Sequence, residues 1–161
     1  MIVGSIAATL HGFSRATHDI DIVISTVPEA IPALAAALGD EFYLDVEPAC
    51  AAVERRDMFN AIHMDSGLKV DFWVLADDEY SQTQFANRLE IEFDGLEAFV
   101  ASAEDTILSK LLWYRISPSD RQLGDAKAII TLKRDLLDWD YLSEWSRKLC
   151  VDALLRDLQS G

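Results

Sequence analysis

Residues 19–25 read Asp-Ile-Asp-Ile-Val-Ile-Ser, a strict alternation with a period of two. Strand side chains point to opposite faces in turn. Ile20, Ile22 and Ile24 therefore share one face, and Asp19, Asp21, Val23 and Ser25 share the other. The isoleucines demand a core on their side. The two aspartates set like charges close together, and neither is cheaply buried without a partner. A metal ion, an arginine or water has to answer them.

A second strand of the same design follows at 69–74, where Lys69, Asp71 and Trp73 share one face and Val70, Phe72 and Val74 the other. With Met58–Asp65 and Gly67 before it, this stretch reads as a hairpin. Residues 1–3 predict a strand stub, Gly4 a turn, and Ser5 the N-cap of a helix over 6–12. Pro28 opens an Ala-rich helix that Gly39 ends. Residues 41–47 predict a strand, and 87–102 a pair of short strands turning at Asp94-Gly95. From Ala103 the period becomes helical, over 103–116, 119–135 and 140–158. The fold class is α/β (α+β): a part over 1–101 carrying the chemistry, and a helical part over 102–161 packed on it as one compact unit.

The 161 residues suit a single domain, and the half that are apolar can form a real core. With 28 acidic against 14 basic residues the net charge is −14, a poor match to non-specific nucleic-acid binding. That balance says nothing against a small anionic substrate escorted by a divalent cation. Arg55, Arg56 and Arg88 are the residues that would have to supply a local basic surface for RNA. Cys50 and Cys150 lie in no CxxC or zinc-ligand spacing and read as the reduced thiols of a cytoplasmic protein. The apolar N-terminus lacks a basic leader, and no run approaches the roughly 20 apolar residues of a membrane span.

Three carboxylates on two strands suit two divalent ions. Mg²⁺ prefers oxygen ligands and retains waters, so it works with a few carboxylates plus substrate phosphates. The Gly4-Ser5 turn fits the same purpose, because glycine lets a phosphate approach the backbone and a helix N-terminus offers free N–H groups. Together, ions and amides would hold a triphosphate with its α-phosphorus set for in-line attack.

Gly4-Ser5, then Asp19-Ile20-Asp21-Ile22, then Val70-Asp71-Phe72 resembles the pattern of the DNA polymerase β-like nucleotidyltransferases. More narrowly, Arg15, Thr17, Asp19 and Asp21 fit the R-x-T-x-D-x-D run of small bacterial proteins related to AbiEii-type toxins. Lys110 matches the lysine-bearing helix of that family. Arg121 and Asp125 match its following R-x-x-K-D segment, with Gly124 where lysine is usual. Members of the superfamily commonly carry a helix before the first strand, whereas three residues precede Gly4 here. The resemblance implies a short mixed sheet followed by a helical bundle. It also implies transfer of an NMP from an NTP, such as ATP, to a hydroxyl acceptor with release of pyrophosphate. Asp19 and Asp21 would hold both Mg²⁺ ions, with Mn²⁺ as the substitute. Asp71 would complete the ion nearest the attacking hydroxyl. Gly4, Ser5, Arg15 and Thr17 would line the nucleotide, Lys110 would neutralise its phosphates, and Asp125 would orient Lys110 or the acceptor. The acceptor is an RNA end, a protein or a small molecule. A cognate antitoxin is the implied partner, and a catalytically silent nucleotide-binding or toxin–antitoxin partner protein is the alternative.

Plainer readings stand beside these. Asp19 and Asp21 can form a solvated face or pair with Arg15. Lys69 can simply make a cross-strand ion pair with Asp71, Lys110 can snorkel, and Asp125 can be a surface acid near Lys127. His11 and His18 read as surface or supporting groups near the site, and His63 as structural. Trp113, Tyr114, Trp139 and Trp145 fall at helical spacings that favour core or interface. The acidic stretch 135–144 reads as a solvated face with apolar residues interleaved.

Overall fold

The structure, a computed structural model, describes residues 1–12, 17, 19–93 and 95–160. The alternating stretches become β1 (Asp19–Ile24) and β4 (Lys69–Val74), and the hairpin partner of the latter is β3 (Met58–His63). With β2 (Phe42–Tyr43) they form a four-stranded mixed sheet in the order β1-β4-β3-β2, in which β1 and β4 run parallel. Residues 89–93 and 96–100 form the expected hairpin, β5 and β6, as a separate two-stranded sheet; Asp94 of its turn lies outside the described residues.

Eight α-helices accompany the strands among the described residues: α1 (Gly4–Leu10), α2 (Ile31–Leu38), α3 (Val46–Glu54), α4 (Glu79–Ala86), α5 (Ala103–Ile116), α6 (Asp120–Lys133), α7 (Trp139–Lys148) and α8 (Asp152–Ser160). Three local expectations need correction. Val3, not Ser5, takes the N-cap position of α1, and no side chain caps it. The strand expected over 41–47 ends at Tyr43, because Asp45 starts α3 with Pro48 in its first turn, where a missing N–H costs nothing. The segment 140–158 is two helices, broken at Cys150, whose φ of 55 interrupts the helical path.

The sheet separates two cores. On one face Val70, Phe72, Val74, Phe59 and Ala61 pack with Ile31, Ala49, Ala52 and Val53 of α2 and α3, and the β1 isoleucines flank them. The second core is helical: Ile107, Leu108 and Leu111 of α5, Ile129 and Ile130 of α6, and Leu142 and Trp145 of α7. Ala8 of α1 joins this second core, and α1 packs against β1, α5 and α6. Within 135–144 the acids Asp135, Asp138, Asp140 and Glu144 are exposed, and Leu137 and Leu142 are buried between them.

Leu108 is fully buried in the helical core, whereas Leu136 is 80% exposed. Urea unfolding should therefore show Leu108→Ala losing about 2–5 kcal/mol. Leu136→Ala should stay within about 0.5 kcal/mol of wild type.

Candidate functional site

Asp21 and Asp71 are register partners in the parallel β1–β4 pair, as are Val23 and Trp73, so all four point to the face opposite the isoleucines. The N-terminus of α1 closes over this face. Gly4 has φ +64, and a Cβ there would overlap Asp21 Oδ2 and come within 2.9 Å of its Cγ. The position thus needs glycine on two counts: its backbone conformation, and the carboxylate pressed against it.

Each inner acid already has a donor. Trp73 Nε1–H donates to Asp21 Oδ1 at 3.2 Å. Lys69 Nζ lies 2.9 Å from Asp71 Oδ2, the plain ion pair expected of these two residues but made along β4 itself and not across strands. Asp71 Oδ1 is buried with no hydrogen-bond partner. Burial pushes the Asp21 carboxyl above its ordinary pKa; the Trp73 hydrogen bond opposes this, and the charges of Asp71 and Asp19 add to it. The hydrogen bond to Asp71 raises the Lys69 ammonium.

Asp19 is exposed, and the Thr17 hydroxyl donates to its backbone carbonyl at 3.2 Å. Arg15 and His18 lie outside the described residues. Orphaned Asp71 Oδ1, beside a half-buried Asp21 cradled by Gly4, fits a bound cation. Among the described residues, though, no three acidic, histidine or cysteine side chains converge as a ready metal site. Lys69 stands where positive charge is needed.

Lys110 and Asp125 are neither a snorkelling lysine nor a surface acid. Both are buried, with Nζ and Oδ2 2.6 Å apart, joining α5 to α6. His11 is buried rather than a surface group: its ring nitrogens meet Ala101 O at 2.7 Å and Lys133 Nζ at 3.2 Å, and burial lowers its pKa. His63 is structural, with Nδ1 2.9 Å from Ser66 Oγ.

A cavity of about 430 Å³ opens between this sheet face and α4, α5 and α6. Gly4, Ser5, Asp21 and Lys110 line it, and so do Trp73 and Trp113. Asp19, Asp71 and Thr17 lie outside the lining. Arg56 lines it too, held by Asp77 at 2.8 Å and by Leu75 O at 2.9 Å. Arg55 lines a different hollow and Arg88 lies over Phe85 and Phe99, so the three arginines do not share this cavity.

The sequence reading missed Trp73 as the donor to Asp21, although its place two residues after Asp71 on the same face was the available signal. It also placed Trp113 in a core or interface. Trp113 is 45% exposed at the cavity, its ring centroid 5.7 Å from that of Trp73.

A glycine turn set on a paired-acid strand, beside a helical layer that supplies a buried lysine, is the layout of a nucleotidyltransferase-like α/β protein. The chain belongs to the family described as "Nucleotidyltransferase of unknown function (DUF6036)", whose sequence pattern matches residues 1–155. Its fold is similar to that of an antigenic nucleotidyltransferase-like protein from Paracoccidioides brasiliensis, with a TM-score of 0.52 at 19% identity. The match covers 81% of this chain and 65% of that one. No curated protein matches the sequence. No helix among the described residues is long and apolar enough to cross a membrane.

Two outcomes follow. Since the folded Asp21 carboxyl binds its proton more tightly than the unfolded one, the ionised form costs stability once pH exceeds the ordinary carboxylate range. Asp21→Asn should raise Tm at pH 7 by a few degrees (~2–4 °C per kcal/mol at this size), and the gain should vanish as pH falls below that range. A gain independent of pH would contradict the assignment. Asp125→Ala should strand the buried Lys110 ammonium and cost about 3–5 kcal/mol in chemical denaturation. Adding Lys110→Met should restore a large part of that loss.

Proposed function

We propose that this protein is a Mg²⁺-dependent nucleotidyltransferase that moves an NMP from an NTP to a hydroxyl acceptor. The family membership supports the general role. The observation that carries the reading is the pairing of Asp21 with Asp71, under Gly4 and beside Lys110, in one face of one sheet.

In this reading Asp19, Asp21 and Asp71 would hold Mg²⁺. The ion would neutralise phosphate charge and favour loss of the acceptor proton. Gly4 and Ser5 approach the β- and γ-phosphates with backbone and hydroxyl. Lys110 would donate hydrogen bonds to them from the cavity wall, and Asp125, which balances its charge, would fix the lysine in place. Arg15 and Thr17 flank the acids. The acceptor oxygen forms a bond to the α-phosphorus as the bond to the β-phosphate oxygen breaks, and pyrophosphate leaves. The acceptor is a protein, a small molecule or an RNA end. The net charge of −14 makes a long RNA the least favoured of these. By its resemblance to AbiEii-type proteins, the chain serves as the toxin of a toxin–antitoxin pair in the cytoplasm, with a cognate antitoxin as partner.

One observation favours a silent nucleotide-binding or toxin–antitoxin partner protein instead: Lys69 already holds Asp71, and Asp19 is exposed and lies outside the cavity lining. A single series separates the two readings. In the first reading, an NTP with Mg²⁺ at ~100 times its Kd raises Tm by the equivalent of about 2.7 kcal/mol, and pyrophosphate appears once the acceptor is supplied. Asp21→Asn should abolish both effects while the protein stays folded. A Tm shift without pyrophosphate from any acceptor class selects the silent reading. The absence of any Mg²⁺-dependent shift refutes the nucleotide site itself.

A further inference from the structure

Two cavity residues have no part in holding metal or phosphate. Trp113, one of two tryptophans lining the cavity, leaves nearly half its surface exposed, and its edge-on contact with Trp73, at an interplanar angle of 61°, fixes the pair. Gln122 has the opposite problem: its Oε1 is buried and lacks a hydrogen-bond partner. Leaving a buried acceptor unpaired is costly, so such an atom calls for a donor from outside.

The helix geometry brings these two together. Lys110 on α5 meets Asp125 on α6. Trp113 lies three residues beyond Lys110, and Gln122 three residues before Asp125. Residues three apart share a helix face, so along a pair of antiparallel helices the second couple falls one turn from the first. Both residues line the same cavity as Asp21 and Lys110. An exposed indole and an unsatisfied amide oxygen, one turn from a buried lysine, match a flat heteroaromatic ring with an N–H on its edge. A bare phosphate chain would use neither.

We propose that Trp113 and Gln122 form the nucleobase subsite of this cavity: the indole stacks on the base, and Gln122 Oε1 accepts a hydrogen bond from an N–H donor on its edge. The inference rests on the reading of the cavity as an NTP site and assigns base recognition to the α5–α6 side. Trp73 serves two ends at once, since it holds Asp21 through its indole N–H and supports Trp113 with its ring. The position of the base is thereby tied to that of the acid.

The test compares the four NTPs with inorganic tripolyphosphate, each with Mg²⁺, by titration calorimetry on the wild-type chain. The best NTP should bind tighter than tripolyphosphate by on the order of tenfold or more, the range that base stacking supplies. Trp113→Ala and Gln122→Leu should each erase most of that advantage and leave tripolyphosphate binding unchanged, whereas Trp113→Phe should retain it. Equal binding of NTP and tripolyphosphate by the wild type, lost in Asp21→Asn, would overturn the subsite and leave the phosphate–metal reading standing. The wild-type comparison of NTP with tripolyphosphate does not depend on any variant folding. Variants that weaken NTP and tripolyphosphate alike would also overturn it, and binding of neither ligand would sink both readings.

Discussion

The backbone of residues 1–3 is hydrogen-bonded to both sheets at once. Ile2 N donates to Phe99 O at 2.7 Å and Ala101 N donates to Ile2 O at 3.0 Å, on the β6 side. Val3 N donates to Asp21 O at 3.0 Å and Val23 N donates to Met1 O at 2.8 Å, on the β1 side. This short segment satisfies polar groups that an open edge of β1 would leave unpaired. It also delivers the chain, at Gly4, onto the acidic face of β1. From there α1 runs into the helical core through Ala8. The seam therefore fixes three relations together: sheet to hairpin, Gly4 to Asp21, and sheet to helical layer.

The charges of the site follow from that arrangement. Lys110 and Asp125 cancel one another inside the α5–α6 contact. Lys69 offsets one of the three acids Asp19, Asp21 and Asp71, and Trp73 contributes only a dipole to another. Among the described residues the acids of this face outnumber its bases, and a divalent cation arriving with the proposed triphosphate would offset that charge.

Much of the sheet was legible in the sequence because its strands alternate so cleanly. β1 and β4 show a period of two with branched or aromatic residues on the inner face, and that pattern alone put Asp21 and Asp71 on a common side. α3 was hidden because Val46-Glu47-Pro48 looks extended until Pro48 is recognised as a first-turn residue. α4 was hidden because Glu79–Ala86 is mostly polar and shows little apolar period. The Lys110–Asp125 contact was suggested by resemblance, but their burial was not, since it depends on how α6 lies against α5. Trp113 and Gln122 were illegible for the same reason. Nothing in a helical period says which face meets a cavity when another element supplies the opposite wall.

Asp21 shows how the site is kept in place against its own electrostatics. Burial and neighbouring acids make its ionised form unfavourable, and the Trp73 hydrogen bond only partly offsets this. An isolated strand would turn such a group toward water. Here its carboxylate is confined between Gly4 above and Trp73 beside it, and both are anchored elsewhere. Gly4 follows the two-sided seam of residues 1–3, and Trp73 lies in a strand whose other face is core. The two hydrophobic cores thus hold an acid where it would not otherwise stay. A positive ligand brought beside it would turn that cost into binding energy.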